Sequence, residues 1–285
     1  MRFVFFVLSS LAAAAASAQE SPPATGEVLV VPGPLQALIS YDSTDPNAGA
    51  PGAPAGWHLP GTSFTADANW YALVCAKECA LHATRLDVAP ATHAVYDGEP
   101  VASQLLHWSP LPDGLDRVIA PDAVAPTLIA LLRPGAKLKL AAGPVPTWLH
   151  SGMKQYPATD RPGTMETSIP TGGNEPVMLV PRVANVPSGN LEDHDTTVEI
   201  ELRIGARRQR LGTYTFGIDG AVPLRGPDYL VWAGDLDHDG KPDLIVRLGS
   251  DREHVVLYLS TFAKPGELVG AAGDFDYYDP SAAGC

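Results

Sequence analysis

The chain has 285 residues, a net charge of −13 from 19 Lys and Arg against 32 Asp and Glu, and a backbone broken often by 27 glycines and 28 prolines. That punctuation excludes long helices and coiled coils, while an apolar content of 45% suffices for a packed core. An acidic chain without a Lys/Arg-rich run also lacks the electrostatic footprint of a nucleic-acid binder.

In chain order, Met1 and Arg2 precede an uncharged apolar stretch over residues 3–16, and Ala16-Ser17-Ala18 before Gln19 fits the small-x-small cleavage rule. Residues 1–18 thus read as a secretory signal peptide, which predicts a secreted or periplasmic protein. A membrane-spanning helix needs about 20 apolar residues. No later segment approaches that length, so no transmembrane segment is expected once the signal is removed. The first cysteine is Cys75, far from the cleavage point, which disfavours a lipid-anchored amino terminus.

Residues 19–27 and 42–56 are rich in Pro, Gly, Ala and Ser and predict loops. Short apolar runs at 27–31, 70–76, 82–88, 101–108, 127–132, 138–140 and 177–180 read as strands, none having the length or period of an amphipathic helix. The clearest strand is 197–204, where Val198, Ile200, Leu202 and Ile204 alternate with Thr197, Glu199, Glu201 and Arg203. Side chains alternate faces along a strand, so one face of this segment is buried and the other wet. Gly205 and Ala206 break the pattern and 211–216 resumes it, which predicts a hairpin, with Arg207, Arg208 and Arg210 as a solvated turn. The predicted fold is mostly β, an antiparallel sandwich or two small β-domains over 19–143 and 144–285.

In an oxidising compartment Cys75 and Cys79 are close enough in sequence to form a local disulfide. Cys285 is left over and is free, bridges to another chain, or displaces one of the pair. A thioredoxin-like motif would have two intervening residues, not three. A zinc site would need two more ligands, which His82 alone does not supply.

One segment carries chemistry. Asp235-Leu236-Asp237-His238-Asp239-Gly240-Lys241-Pro242-Asp243 places carboxylates at loop positions 1, 3, 5 and 9 and glycine at 6. In calcium loops alternate side chains turn inward, the glycine permits a sharp turn, and the carbonyl at position 7, here of Lys241, supplies a further oxygen. A set of oxygen donors suits Ca²⁺ ahead of zinc or copper. The EF-hand would need Glu at position 12, but that position is Val246, and both flanks are apolar and β-prone. The loop therefore joins two strands, with Asp243 closing the site. Over residues 234–248 the segment resembles the calcium loops of FG-GAP/VCBS-type repeats, whose pattern is Asp-x-Asp-x-Asp-Gly-x-x-Asp followed by an apolar strand. The resemblance implies Ca²⁺ held by the side chains of Asp235, Asp237, Asp239 and Asp243 and the carbonyl of Lys241.

Asp193-His194-Asp195 and the trio Asp274, Asp276 and Asp279 are acidic but do not complete such a loop. The chain has no nucleophile elbow, zincin motif, phosphate-binding loop or dinucleotide fingerprint, so no catalytic residue is assigned. The expected function is a non-enzymatic binding or structural module whose carboxy-terminal part folds around calcium, with an extracellular protein or carbohydrate as the ligand class. The alternative is a secreted hydrolase or carbohydrate-active protein with a structural calcium.

Overall fold

Apolar runs bounded by Gly and Pro fold here into strands almost throughout. The computed structural model describes residues 26–30, 57–58, 64, 66–93, 101–109, 126–150, 153, 166–184, 196–216, 229–248 and 252–278. The signal-like segment, the 42–56 loop, Asp193-His194-Asp195, Asp279 and Cys285 lie outside them. The expected mostly β, antiparallel character holds, and a 3-10 turn spans Ser260–Phe262.

The amino-terminal half begins with β1 (Gly26–Val30) and β2 (Trp57–His58). The hairpin of β3 (Asp67–Cys75) and β4 (Cys79–His93) follows, then β5 (Val101–Ser109) and β6 (Thr127–Arg133). Next come the short strands β7 (Gly143–Val145) and β8 (Thr147–His150). Four strands make a separate antiparallel sheet: β9 (Thr167–Ile169), β10 (Val177–Val183), β11 (Thr196–Ile204) and β12 (Arg207–Phe216). The chain then returns through β13 (Leu230–Gly234), β14 (Asp243–Leu248), β15 (Arg252–Leu259) and β16 (Gly270–Tyr278).

The large sheet runs β4-β3-β6-β1-β16-β15-β14-β13-β8, with β5 and β2 as an arm on the far end of β4. All its pairs are antiparallel except β1 with β16. The path then returns to its start. β7 pairs with β4, matching Val145 to Cys79, and β8 pairs with β13, matching His150 to Trp232. Only Pro146 separates β7 from β8, so residues 143–150 act as one bent strand that closes a ring. Proline, which cannot donate a ladder hydrogen bond, sits where the strand changes partners. The sheet therefore runs without a break through position 143/144, which lies inside β7.

Two apolar clusters follow from this topology. One gathers Trp70, Leu73, Leu131, Trp232, Ile245 and Leu257 among the ring strands. The other lies between the four-stranded sheet and the outer faces of β13–β15, where Leu179, Ile200 and Leu202 meet Leu230, Leu244, Val246 and Val256. Successive residues of β14 and β15 thus enter different clusters. Those strands are buried on both faces, which explains runs such as Leu244-Ile245-Val246 that do not alternate. On β11 the predicted alternation holds: Val198, Ile200 and Leu202 are buried, whereas Glu199, Glu201 and Arg203 are half-exposed and pair with Arg210 and with one another. Gly205, at φ 58, turns the hairpin with Ala206, and the predicted basic turn residues lie on β12 itself. Residues 138–140 form no strand, although Leu138 is buried. Polar links fix the small sheet to the ring: Gln209 accepts from the N–H groups of Leu268 and Val269 and donates to the Val269 carbonyl, and Tyr258 donates to the Leu211 carbonyl.

Where the closing strand meets β13, the ring is tight at Gly234. A Cβ there would lie 2.3 Å from the Pro146 carbonyl oxygen and 2.3 Å from the Trp232 ring. Overpacking of a well-filled site typically costs about 1–3 kcal/mol, and a backbone oxygen cannot step aside as a side chain can. Gly234→Ala should therefore lower stability in a urea melt by at least about 2 kcal/mol, while Gly173→Ala, where the nearest atom is 3.5 Å away, should stay near wild type.

Candidate metal centre

The loop 235–242 joins β13 to β14, and the pair Gly234–Asp243 closes its base. The Asp235 N–H donates to the Pro146 carbonyl at 2.8 Å, which ties the loop's first residue to the bend in the closing strand. Asp243, with no exposure at all, accepts from the Leu236 N–H at 2.7 Å and the Asp237 N–H at 3.4 Å through Oδ2, and from the Ser260 N–H at 2.9 Å through Oδ1. Asp235 Oδ2 accepts from the Gly240 N–H at 3.0 Å. Gly240 has φ 79, the left-handed conformation expected at position 6, and His238 at position 4 also has a positive φ of 61. Residues other than glycine are uncommon in that region, and His is among those enriched there.

The turn Ser260–Phe262 caps the loop from the side. The Ser260 hydroxyl donates to Asp239 Oδ2 and the Thr261 hydroxyl to Asp237 Oδ2. Lys241 donates to Asp239 from its backbone N–H at 2.9 Å and from its ammonium at 3.2 Å. These contacts are long-range: residues 260 and 261 lie more than twenty positions from their partners. Nothing in the local sequence of Ser260 or Thr261 marks them as part of this loop.

Asp235, Asp237 and Asp239 each bring a carboxylate oxygen within 4.8 Å of the other two. Asp235 Oδ1 and Asp237 Oδ1 are buried and have no hydrogen-bond partner, although every other oxygen of the trio accepts at least one bond. Asp243 stands outside the trio and is engaged by backbone N–H groups. The side chain of Lys241 is exposed and turned to Asp239, so any part it takes in holding an ion is through its carbonyl.

The electrostatics follow from this arrangement. Two carboxylates about 4 Å apart repel by about 4 kcal/mol at an effective dielectric of about 20, before solvent relaxation. Burial pushes the Asp243 carboxyl up to about 7, and the charge of Asp237 adds to the effect while the Ser260 and Leu236 N–H groups oppose it. At Asp239 burial also works upward, but the Ser260 hydroxyl and the N–H and ammonium of Lys241 hold the group below its ordinary value.

Cys75 and Cys79 face each other in register across the β3–β4 hairpin, at disulfide distance with their Cα atoms 4.0 Å apart. The predicted local pairing is thus the one the hairpin presents. No known family, curated protein or solved structure matches the chain.

In metal-free protein the two kinds of aspartate should behave oppositely. Asp243→Ala strips the buried N–H groups of Leu236 and Ser260, and the half-buried one of Asp237, of their acceptor; each buried group left unpaired costs about 1–3 kcal/mol, so the variant should destabilise by at least about 2 kcal/mol. Asp237→Ala removes repulsion and should cost little or stabilise. Urea melts of both variants in chelator check this contrast.

Proposed function

We propose that the loop 235–243 is a calcium site of FG-GAP/VCBS type, and that this secreted or periplasmic protein acts as a β-rich binding or structural module held by that ion. The observation that carries the reading is that Asp235, Asp237 and Asp239 bring carboxylate oxygens within 4.8 Å of one another, while two oxygens of this trio, Asp235 Oδ1 and Asp237 Oδ1, are buried and partnerless. Buried polar groups almost always have partners, and acceptors that converge without a donor call for a cation. Hard carboxylate oxygens favour Ca²⁺, and the Lys241 carbonyl adds an oxygen at the position calcium loops use. Asp243 closes the site from behind, its three backbone bonds fixing the path of residues 236 and 237. Ser260 and Thr261 hold the outer oxygens of Asp239 and Asp237, so the inner ones stay aimed at the ion.

The ion would lock the β13–β14 turn against the bend of the closing strand and the turn at 260–262. Its effect is therefore on the ring as a whole, and the surface that meets an extracellular protein or carbohydrate lies elsewhere on the molecule. Binding at free Ca²⁺ about 100-fold above Kd adds about 2.7 kcal/mol of stability, or about 5–10 °C in Tm. Thermal melts of wild type, Asp237→Ala and Asp239→Ala in excess Ca²⁺ and in chelator test the proposal, alongside direct quantification of bound calcium. Wild type should gain that increment and carry one ion, and the variants should lose both. Identical melts with no bound calcium would overturn it.

A further inference from the structure

The cysteine hairpin faces a histidine that lies 71 positions further along the chain than Cys79. On β4, Cys79 and His82 point to opposite faces because their spacing is odd, so His82 cannot join the sulfurs. The closing strand supplies another imidazole. Val145 pairs with Cys79, and four residues after Pro146 the same segment reaches His150. A ring nitrogen of His150 lies within 4.8 Å of both Cys75 Sγ and Cys79 Sγ. The His150 Nδ1 atom is buried with no hydrogen-bond partner. Both cysteines are buried, at 1% and 4% exposure, but Cys79 and His150 line a cavity of about 470 Å³ that also meets Lys77, Trp148, Met153 and His238.

We propose that Cys75, Cys79 and His150 form a redox-gated zinc site, closed while the cysteines are bonded to each other and able to take Zn²⁺ once they are reduced. The reductant is a dithiol. Its two sulfurs become a disulfide, the Cys75–Cys79 bond breaks, and its two electrons and two protons pass to the cysteine sulfurs. Zinc then binds two thiolates and a neutral imidazole and releases those two protons to solvent. Two sulfurs each about 2.3 Å from a tetrahedral ion sit about 3.7 Å apart. The Cα atoms of Cys75 and Cys79 are only 4.0 Å apart, so the separation needs side-chain rotation and no change of register. Thiolate and imidazole donors suit zinc, unlike the oxygen set of the calcium loop. Three protein ligands leave one coordination position open, and here it faces the cavity, as in sites where zinc keeps a water or takes a ligand.

The site is independent of the calcium reading, and its test keeps the two apart. The full chain in a Cys285→Ser background, which removes the third thiol, is reduced with dithiothreitol, desalted without oxygen and titrated with Co²⁺ and then Zn²⁺. The reduced protein should bind one Co²⁺ with thiolate-to-cobalt charge-transfer absorption that Zn²⁺ abolishes, and the unreduced protein should show none. Cys75→Ser and Cys79→Ser should lose the band. His150→Ala should weaken binding by roughly tenfold or more. His82→Ala and Asp237→Ala should leave it unchanged. The proposal is overturned if the reduced, folded protein gives no band, if His150→Ala binds as tightly as wild type, or if near-ultraviolet dichroism shows that reduction alone unfolds the chain.

Discussion

Residues 143–150 must satisfy two hydrogen-bonding partners at once, β4 through Val145 and β13 through His150, and the closed ring depends on that bend. Without it the long sheet would have two open edges at β4 and β13, and exposed edges invite pairing with other chains. Pro146 marks the change of partner. Its carbonyl, free of the β7 and β8 ladders, accepts the Asp235 N–H, and the absence of a Cβ at Gly234 makes the approach possible. The indole N–H of Trp232 donates to the Thr147 hydroxyl on the same strand. One short segment thus joins the cysteine hairpin, the apolar core and the acidic loop.

That joining gives the acidic loop its character. Short loops normally let carboxylates turn to water, yet Asp235 and Asp243 are buried because the loop's base is sewn into the ring and its flank is covered by Ser260–Phe262. The fold contributes N–H donors to Asp243 and to the outer oxygens, and leaves two inner oxygens of the trio without any. A protein that folds this way without a cation retains the repulsion, whereas a bound ion converts the same geometry into a clamp. Val145 of the same bend pairs with Cys79 and its His150 reaches both sulfurs, so the acidic loop and the cysteine hairpin share one structural support.

Much of this was legible where side-chain chemistry is local. Strict alternation at 197–204 placed β11 and its buried face, and the Gly205 break placed the hairpin. The spacing of Asp235, Asp237, Asp239 and Gly240 marked the loop, because inward-turning alternate residues are a property of consecutive positions. Other features depend on contacts that no local pattern records. β15 carries no alternation because it is buried on both faces, and β7 and β8, three- and four-residue strands beside prolines, look like loop. The clamps from Ser260 and Thr261 and the arrival of His150 beside the cysteines follow from ring closure, which brings together residues far apart in the chain. At Asp243 position alone predicts a ligand and does not record the backbone donors of Leu236, Asp237 and Ser260 that surround the carboxylate.

The most direct measurement is a crystal structure of the chain grown in Ca²⁺, with anomalous scattering used to identify the ion. The account predicts a single Ca²⁺ about 2.3–2.6 Å from oxygens of Asp235, Asp237 and Asp239 and from the Lys241 carbonyl, with Asp243 still bound to the N–H groups of Leu236 and Ser260. Density for water alone among the three aspartates, or carboxylates turned out to solvent, would contradict it.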